Sequence, residues 1–395
     1  LIQVSCSELN AAVYLLLGLL SAISVLTYII GLLISLGYFF VYLVSMTWFV
    51  FVRCRETGDL LGALIILSLG ISSEIGTVKL VCMFVNIGNI KQMVSDALDI
   101  DTAVVPGSRF SNNLMVTLRE VKKRALIFWI VIIGNGVLYF VKPILLPGRH
   151  FMEDRFILYG LEPMLQTPNY QIAFSLMTAG VIFTCYLPAN ISALLIVISG
   201  YIEAQMLALT EELTCLWDDA EQHYHKSKPT TTIVAEHEPQ DIKNKIINEY
   251  ISIHIKDIIR IHGKNIRLLH QVELVFTTAI GLEFFLLGLA LIVELLGGLE
   301  NTWIDMPFAL MQVGMDCFTG QRIMDASMKF EKAVYECQWE NYDRSNMKII
   351  QIMLQSSQKT MTLSAGGIAV LNFSCLMQVN RSIYSAYTTL RSTMK

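Results

Sequence analysis

The chain of 395 residues contains 54% hydrophobic and 16% charged residues, a composition that excludes an ordinary water-soluble globular protein. Its 29 basic and 33 acidic residues nearly balance, so nothing favours nucleic acid or another polyanion as a partner. The eight cysteines are scattered and form no C-x-x-C pair, so we expect reduced thiols and neither a metal site nor a disulfide framework. We predict an all-α, polytopic membrane protein.

Seven membrane-spanning helices are predicted from the apolar runs. Residues Leu9 to Val52 include no charged residue, a run about twice the ~20 residues that span a bilayer. This run holds either two spans or one span after an interfacial lead-in; we assign residues 1–24 to the lead-in and about 25–52 to the first span. The other six spans are predicted at about 60–88, 125–146, 171–202, 272–297, 303–323 and within 363–395.

The loops between the spans predict the topology. The loops at 89–124, 203–272 and 320–360 contain 20 lysines and arginines, whereas the loops at 53–59, 147–170 and 294–305 contain 4. Positive residues concentrate on the cytoplasmic side, which predicts a cytoplasmic N-terminus and an extracellular C-terminus. This is the opposite of the topology of a G-protein-coupled receptor. If the first apolar run formed two spans, only the N-terminus would change sides.

No pattern in the chain indicates catalysis. There is no nucleophile elbow, no His-Glu-x-x-His and no phosphate-binding loop, so we predict no enzyme, no catalytic residue and no cofactor. Six histidines lie within residues 203–271, a region predicted to hold cytoplasmic helical extensions and a flexible loop. His254, His262 and His270 are eight residues apart and therefore drift ~80° per step around a helix, so we expect solvated surface rather than a metal site.

Four ionisable residues fall within the predicted spans: Glu74, Lys79, Glu283 and Asp316. Such residues are functional candidates by default, and a buried structural ion pair is the alternative. The predicted outer halves of several spans also carry apolar and aromatic residues, including Tyr139 and Phe308. These suit a dry pocket for an apolar ligand, although residues of this kind more often face lipid or the core.

Small polar residues form a stripe on the last predicted helix. They recur at intervals of four, three, four and three residues, which places them on one helical face: Gln378, Ser382, Ser385, Thr389 and Ser392. A polar face on a helix surrounded by lipid must contact protein or water. Hydrogen bonding inside the bundle is one explanation, and a water-lined path is the one that we favour.

Short motifs in the C-terminal part of the chain carry a family resemblance. In order, they are Cys317-Phe318-x-Gly320, Ser327 with Ala333-x-Tyr335, Trp339, Met353 with Ser357-Gln358-Lys359, Leu363-x-Ala365-Gly366-Gly367, and Ser382-x-Tyr384-Ser385-x-Tyr387-Thr388-x-Leu390. No single motif is specific, but their order and spacing are. Together they resemble the C-terminal signature of insect odorant receptors.

The resemblance implies a ligand-gated, non-selective cation channel in the plasma membrane of a sensory neuron. Four subunits, usually a receptor of this kind mixed with a shared co-receptor, would surround a central pore. The resemblance also implies that residues 324–362 form cytoplasmic anchor helices and that residues 363–395 form a pore-lining helix. The expected partners are the co-receptor, membrane lipid and a small volatile organic ligand.

An odorant pocket is implied in the outer half of the subunit, among spans two, three, four and six. Mapped onto this chain, its expected residues are Ser72, Ile75, Ile133, Gly136, Tyr139, Phe140, Met177, Val181, Phe308 and Met311. The expected pore residues are Ser385, Thr389, Ser392 and Thr393.

Three departures from the family pattern refine these expectations. Residues 356–360 read Ser-Ser-Gln-Lys-Thr where Arg-Ser-Gln-Lys-Pro is common, which puts an arginine contact and a proline kink in doubt. The family's hydrophobic gate aligns with the polar Thr389 and Thr393, so a co-receptor would have to supply most of the barrier. The chain also lacks the long second intracellular loop of the co-receptor and therefore resembles a ligand-tuned subunit.

Two other functions remain as alternatives. An ion-coupled transporter would use Glu74, Lys79 and Asp316, but the hydropathy pattern has no inverted internal repeat. A G-protein-coupled receptor is opposed by the distribution of lysines and arginines.

Overall fold

The structure is a computed structural model and describes residues 31, 34–227, 240–298, 300 and 305–393. The predicted lead-in at 1–24 lies outside the described residues, as do the start of the first predicted span and most of the predicted flexible loop.

Ten helices make up nearly all of the described chain. They are α1 (Ile34–Thr57), α2 (Leu60–Val85), α3 (Ile87–Thr102), α4 (Arg109–Leu145), α5 (Asn169–Thr214), α6 (Leu216–Ser227), α7 (Gln240–Gly297), α8 (Asp305–Glu336), α9 (Arg344–Ser357) and α10 (Phe373–Thr393). A 3₁₀ turn (Trp339–Asn341) precedes α9, and two short strands, β1 (Ser364–Ala365) and β2 (Ala369–Val370), precede α10.

The helices begin and end at local sequence signals. Gly58 ends α1 with φ +71°, in the left-handed region that glycine adopts without steric cost. Side-chain oxygens then satisfy the free amides at helix starts. The Asp59 carboxylate accepts from the Gly62 amide at 2.9 Å, and the Ser108 hydroxyl accepts from the Ser111 amide at 3.1 Å.

Among the described helices, α1, α2, α4, α5 and α7 are long and apolar enough to cross a membrane. Helices α8 and α10 coincide with the sixth and seventh predicted spans but carry more polar residues, such as Gln312 and Asp316 on α8 and the stripe on α10. The prediction of an all-α, polytopic membrane protein is confirmed.

Helices α5 and α7 continue far beyond their predicted spans. At 1.5 Å per residue, the 58 residues of α7 extend ~87 Å, almost three times the hydrocarbon thickness. Their extensions pack with α3, α6, α9 and the second half of α8, and this part of the molecule is the anchor end. The opposite end, covered by the loop at 147–168, is the loop end.

The anchor end is closed by apolar packing and by buried ion pairs. Phe276 and Phe330 are among the largest fully buried side chains of its core. Glu203 on α5 is 1% exposed and accepts from Arg124 of α4 at 2.7 Å and from Arg322 of α8 at 2.6 Å. One carboxylate therefore joins three helices, and the guanidinium groups supply the charge that a buried carboxylate needs.

The expectation that the histidines are solvated is wrong for His262. Its ring is 6% exposed and stacks on Phe330 of α8, with the ring centroids 4.5 Å apart. Burial lowers the pKa of His262 to about 4, because the charged imidazolium loses its hydration there.

The Gly366-Gly367 pair forms the turn between β1 and β2. Both residues have positive φ angles, +60° and +70°. A Cβ on Gly281 of α7 would lie 2.8 Å from the Gly366 backbone, and the Gly366 amide donates to the Thr277 carbonyl at 2.8 Å. The turn is therefore fixed directly on the backbone of α7.

Candidate functional site: a cavity at the loop end and the final helix

A cavity lies at the loop end, between α1, α2, α4, α5 and the start of α8. Its volume is about 50 Å³. For comparison, a cavity of ~150 Å³ in another protein binds benzene. The lining is mainly apolar and aromatic: Val41, Tyr42, Met46, Leu69, Ser72, Ser73, Asn135, Tyr139, Met152, Glu153, Phe156, Met177, Val181, Thr184, Cys185, Asp305 and Phe308. The cavity, which we call the loop-end cavity, is a small version of a typical ligand site.

Two carboxylates reach the wall of this cavity. The Tyr139 hydroxyl donates to Asp305 Oδ1 at 2.6 Å, and both side chains are buried. Glu153 comes from the loop, where burial raises its pKa and the charge of Lys142 partly opposes that shift. Within the described chain, the Ser72 hydroxyl has no hydrogen-bond partner although Ser72 is only 5% exposed.

The loop at 147–168 covers the cavity on the side away from the anchor end. Phe156 is buried and packs edge to face against Phe49 of α1, with the ring centroids 5.8 Å apart. The Phe151 amide donates to Asp154 Oδ1 at 2.7 Å, and His150 Nδ1 lies 2.8 Å from Asp154 Oδ2. This hydrogen bond raises the pKa of His150. A second, more open cavity of about 750 Å³ shares Phe156 with the first, so this side chain separates the two spaces.

The ten expected ligand residues divide into two groups. Five line the loop-end cavity: Ser72, Tyr139, Met177, Val181 and Phe308. The other five do not line it. Ile75 lies in the central core, and Ile133 and Met311 pack against a cluster of α4, α5 and α8. Phe140 packs near Phe174, and Gly136 packs against the Cys185 side chain. Their role in binding stays a prediction.

Several lining residues were not expected from the sequence. Tyr42 and Met46 come from α1, and Met152 and Phe156 come from the loop. Tyr42 and Met46 are four residues apart and therefore share one helical face, a spacing that can be read from the sequence. The position of the loop residues depends on how the loop folds back, which no local pattern encodes.

Three of the four ionisable residues of the spans, Lys79, Glu283 and Asp316, form a buried network, whereas Glu74 is only half-buried and lies outside it. Lys79 Nζ lies 2.5 Å from Glu283 Oε1 on α7, and it also donates to Ser192 of α5 at 2.7 Å and to Gln312 of α8 at 3.3 Å. Asp316 is also buried, one turn further along α8. Lys79 thus joins four helices, which is the arrangement of a structural ion pair.

Helix α8 connects the loop-end cavity to the start of α10. Asp305 and Phe308 line the cavity at one end of the helix. Further along, a Cβ on Gly320 would lie 2.3 Å from the carbonyl oxygen of Leu371, and Gln321 Oε1 accepts from the Phe373 amide at 3.3 Å. These two contacts hold the second half of α8 directly against the start of α10.

The polar stripe of α10 lies on the outside of the single chain. Ser385, Thr389, Ser392 and Thr393 are all exposed, whereas Ile383 on another face is buried. The Thr389 hydroxyl donates to the Ser385 carbonyl at 2.9 Å, and the Thr393 hydroxyl donates to the Thr389 carbonyl at 3.1 Å. The hydroxyls of Thr389, Ser392 and Thr393 thus bind to carbonyls of their own helix, and the stripe is an exposed face that carries hydroxyl groups.

The seven cysteines within the described chain are free thiols, and five of them are buried. Among the described residues, no group of three or more His, Cys, Asp or Glu side chains could hold a metal ion.

Comparison with known proteins identifies the family. Residues 56–384 match the 7tm Odorant receptor family. The fold is similar to that of the insect olfactory receptor OR5 from Machilis hrabei, with a TM-score of 0.71, 13% identity and coverage of 91% of this chain and 87% of that chain. It is also similar to the same receptor in complex with eugenol, with a TM-score of 0.66, 14% identity and coverage of 92% and 88%. The sequence has no match among the curated proteins. Because the family match spans most of its length, the chain belongs to the odorant receptor family of multi-pass membrane proteins, a family of ligand-gated channels rather than enzymes.

Proposed function

We propose that this chain is a ligand-tuned subunit of an odorant-gated, non-selective cation channel. A small volatile molecule binds in the loop-end cavity, and binding opens a central pore lined by α10. The observation that carries the proposal is the continuous α8, which joins the cavity wall at Phe308 to the backbone of Leu371 at the start of α10.

The size of the cavity supports a gating role for the ligand. A volume of about 50 Å³ is too small for a molecule as large as benzene, which occupies a cavity of ~150 Å³ elsewhere. A ligand of that size therefore binds more tightly to an arrangement in which the walls have moved apart. This difference in affinity between two arrangements is what a ligand needs to shift their populations.

The direction of the coupling follows from the contacts of α8. When Phe308 moves outward, the helix carries Gly320 and Gln321 with it, about 18 Å away at 1.5 Å per residue. The Leu371 carbonyl and the Phe373 amide touch these two residues and must follow. We infer that this motion displaces α10 and widens the pore.

Exposed apolar side chains near the end of the chain support assembly with other subunits. Ile368 at the hairpin tip is 93% exposed, and Met377 and Tyr384 on α10 are more than 60% exposed. Exposed apolar groups that lie together indicate a contact surface. We propose a tetramer that includes the co-receptor, with the N-terminus in the cytoplasm and the C-terminus outside the cell.

The pore assignment is tested with cysteines on two faces of α10. Thr389→Cys, on the exposed polar stripe, should react with an aqueous thiol reagent when odorant opens the channel, and the current should change as it reacts. Ile383→Cys, on the buried face, is the matched control and should stay protected. Persistent protection of the cysteine at 389 in open channels would sink the pore assignment.

A further inference from the structure

The loop-end cavity is apolar over most of its surface, but its charged lining residues are of one kind. Among the described residues that line it, Glu153 and Asp305 are the charged ones, and the charge of Lys142 acts on both from outside the lining. Asp305 is 8% exposed. A purely apolar odorant would leave this buried carboxylate facing hydrocarbon, which is unfavourable for a charged group.

Among the described residues, Tyr139 is the side-chain donor that binds to Asp305. Tyr139 donates to Oδ1, whereas a carboxylate offers about four acceptor positions on its two oxygens. An ionised carboxylate accepts hydrogen bonds and cannot donate them. The position therefore favours a guest that carries an O–H or N–H group and disfavours one that offers only a carbonyl oxygen.

The Ser72 hydroxyl is an independent sign that a polar guest belongs here. It lies on α2, in the wall of the same cavity, and it is buried without a hydrogen-bond partner among the described residues. Buried hydroxyls are nearly always paired, because an unpaired one loses its hydration without compensation. A ligand with a polar end would supply the missing partner.

We propose that the odorant of this receptor carries one hydrogen-bond donor, a hydroxyl or an amine, that binds to Asp305, with its apolar body against the aromatic wall. This inference rests on the proposed function and names the class of its ligand. Tyr42, Tyr139 and Phe308 supply the aromatic surface. Hydrogen bonds to a charged acceptor are roughly twice as strong as neutral ones, so the donor governs selectivity.

The test uses four probes of nearly equal size: benzyl alcohol, benzylamine, benzaldehyde and toluene. Currents are recorded from cells that express this chain with the co-receptor. We expect sensitivity to the better donor probe to exceed that to benzaldehyde and toluene by about tenfold or more. Preference between the alcohol and the amine distinguishes a hydroxyl ligand from an ammonium ligand. Equal sensitivity to all four probes, or preference for benzaldehyde, would overturn the inference.

Two variants of the cavity wall should move the donor preference in opposite directions. Asp305→Asn removes the charge and should reduce the preference about tenfold, while Tyr139→Phe removes the competing hydroxyl and should increase it. Asp257→Asn, in an exposed pair with Arg260, is the matched control and should leave the preference unchanged. A purely structural role of Asp305 would instead lower the responses to all four probes together.

The outcomes separate this inference from the function on which it depends. If Asp305→Asn does not reach the cell surface, the increase in donor preference expected of Tyr139→Phe still tests the inference, and an unchanged preference in that variant would contradict it. Silence of the wild-type chain toward a broad panel of volatiles contradicts the proposed function. Currents that do not discriminate among the four probes contradict the inference alone.

Discussion

The two ends of the molecule solve the problem of buried polar groups in different ways. At the anchor end, Glu203 is held by Arg124 and Arg322, so the buried charge is compensated within the chain. At the loop end, Asp305 accepts from the Tyr139 hydroxyl, and the Ser72 hydroxyl has no hydrogen-bond partner among the described residues. The buried carboxylate of the anchor end is thus neutralised by two guanidinium groups, whereas the carboxylate of the loop end lines a cavity that a ligand can enter.

The two ends also differ in how tightly they are packed. The anchor-end core extends without interruption through the long helices, and the turn at Gly366 is held by backbone contacts to α7. The loop end contains a cavity beneath a folded loop. Substitutions at the anchor end should therefore act on stability, and substitutions at the loop end should act on the response to ligand.

The largest effect is expected from the ion pairs of the anchor end. Glu203→Gln leaves the partly exposed guanidinium groups of Arg124 and Arg322 without their carboxylate and should reduce the free energy of unfolding by about 3 kcal/mol, the upper value for hydrogen bonds to charged groups. Thermal unfolding of the detergent-solubilised protein measures the loss. Asp257→Asn is the control, because its exposed ion pair with Arg260 contributes about 1 kcal/mol or less. An unchanged melting temperature for Glu203→Gln would contradict the role of this cluster.

The contact between α8 and the start of α10 provides the next prediction. Gly320→Ala places a methyl group 2.3 Å from the Leu371 carbonyl oxygen, so the two elements must separate, at a cost of about 1–3 kcal/mol. Odorant-evoked current should fall strongly even where the protein reaches the cell surface. Gly314→Ala, on the same helix but with open space around it, should have little effect. Equal currents for both variants would show that α8 does not transmit the signal through this contact.

A smaller effect is expected from the pH dependence of the anchor end. The pKa of His262 is about 4 in the folded protein and about 6.5 when unfolded, so between these values the unfolded state binds the extra proton. Stability from the neutral ring is therefore present above pH 6.5 and lost progressively as pH falls toward 4.

The variant His262→Phe tests this origin of the pH dependence. It should flatten the fall of the melting temperature between pH 6.5 and pH 4, because the stacked ring remains but no longer titrates. His270→Gln, at an exposed position of the same helix, should leave the pH dependence as it is. If the His262→Phe variant keeps the full fall of the melting temperature at low pH, other groups cause that fall.

Features with a strong local signal could be predicted from the sequence. Apolar runs predicted the long apolar helices, because the length of a membrane span is set by the bilayer. The stripe on α10 also emerged as one exposed face. Each of these depends on residues that are neighbours in sequence or one helical turn apart.

Features that depend on distant partners could not be predicted in this way. His262 is buried because Phe330, on another helix, covers its ring. Ile75 was placed in the ligand site, yet the rotation of α2 turns it into the core while Ser72 lines the cavity. Phe156 closes the cavity only because its loop folds back onto α1. Helix rotation and loop conformation follow from tertiary packing, which spacing along one segment does not determine.

The central claim, that odorant binds in the loop-end cavity, is tested most directly by ligand protection of a cysteine in its wall. Ser72→Cys, in a Cys185→Ala background, is treated with a small membrane-permeant thiol reagent, and the modified fraction is followed by mass spectrometry of the purified channel. Saturating odorant should slow the modification about tenfold, and it should leave the rate unchanged for a cysteine at Leu61, an exposed position on the same helix. Equal rates at Ser72→Cys with and without an odorant that opens the channel would contradict the account.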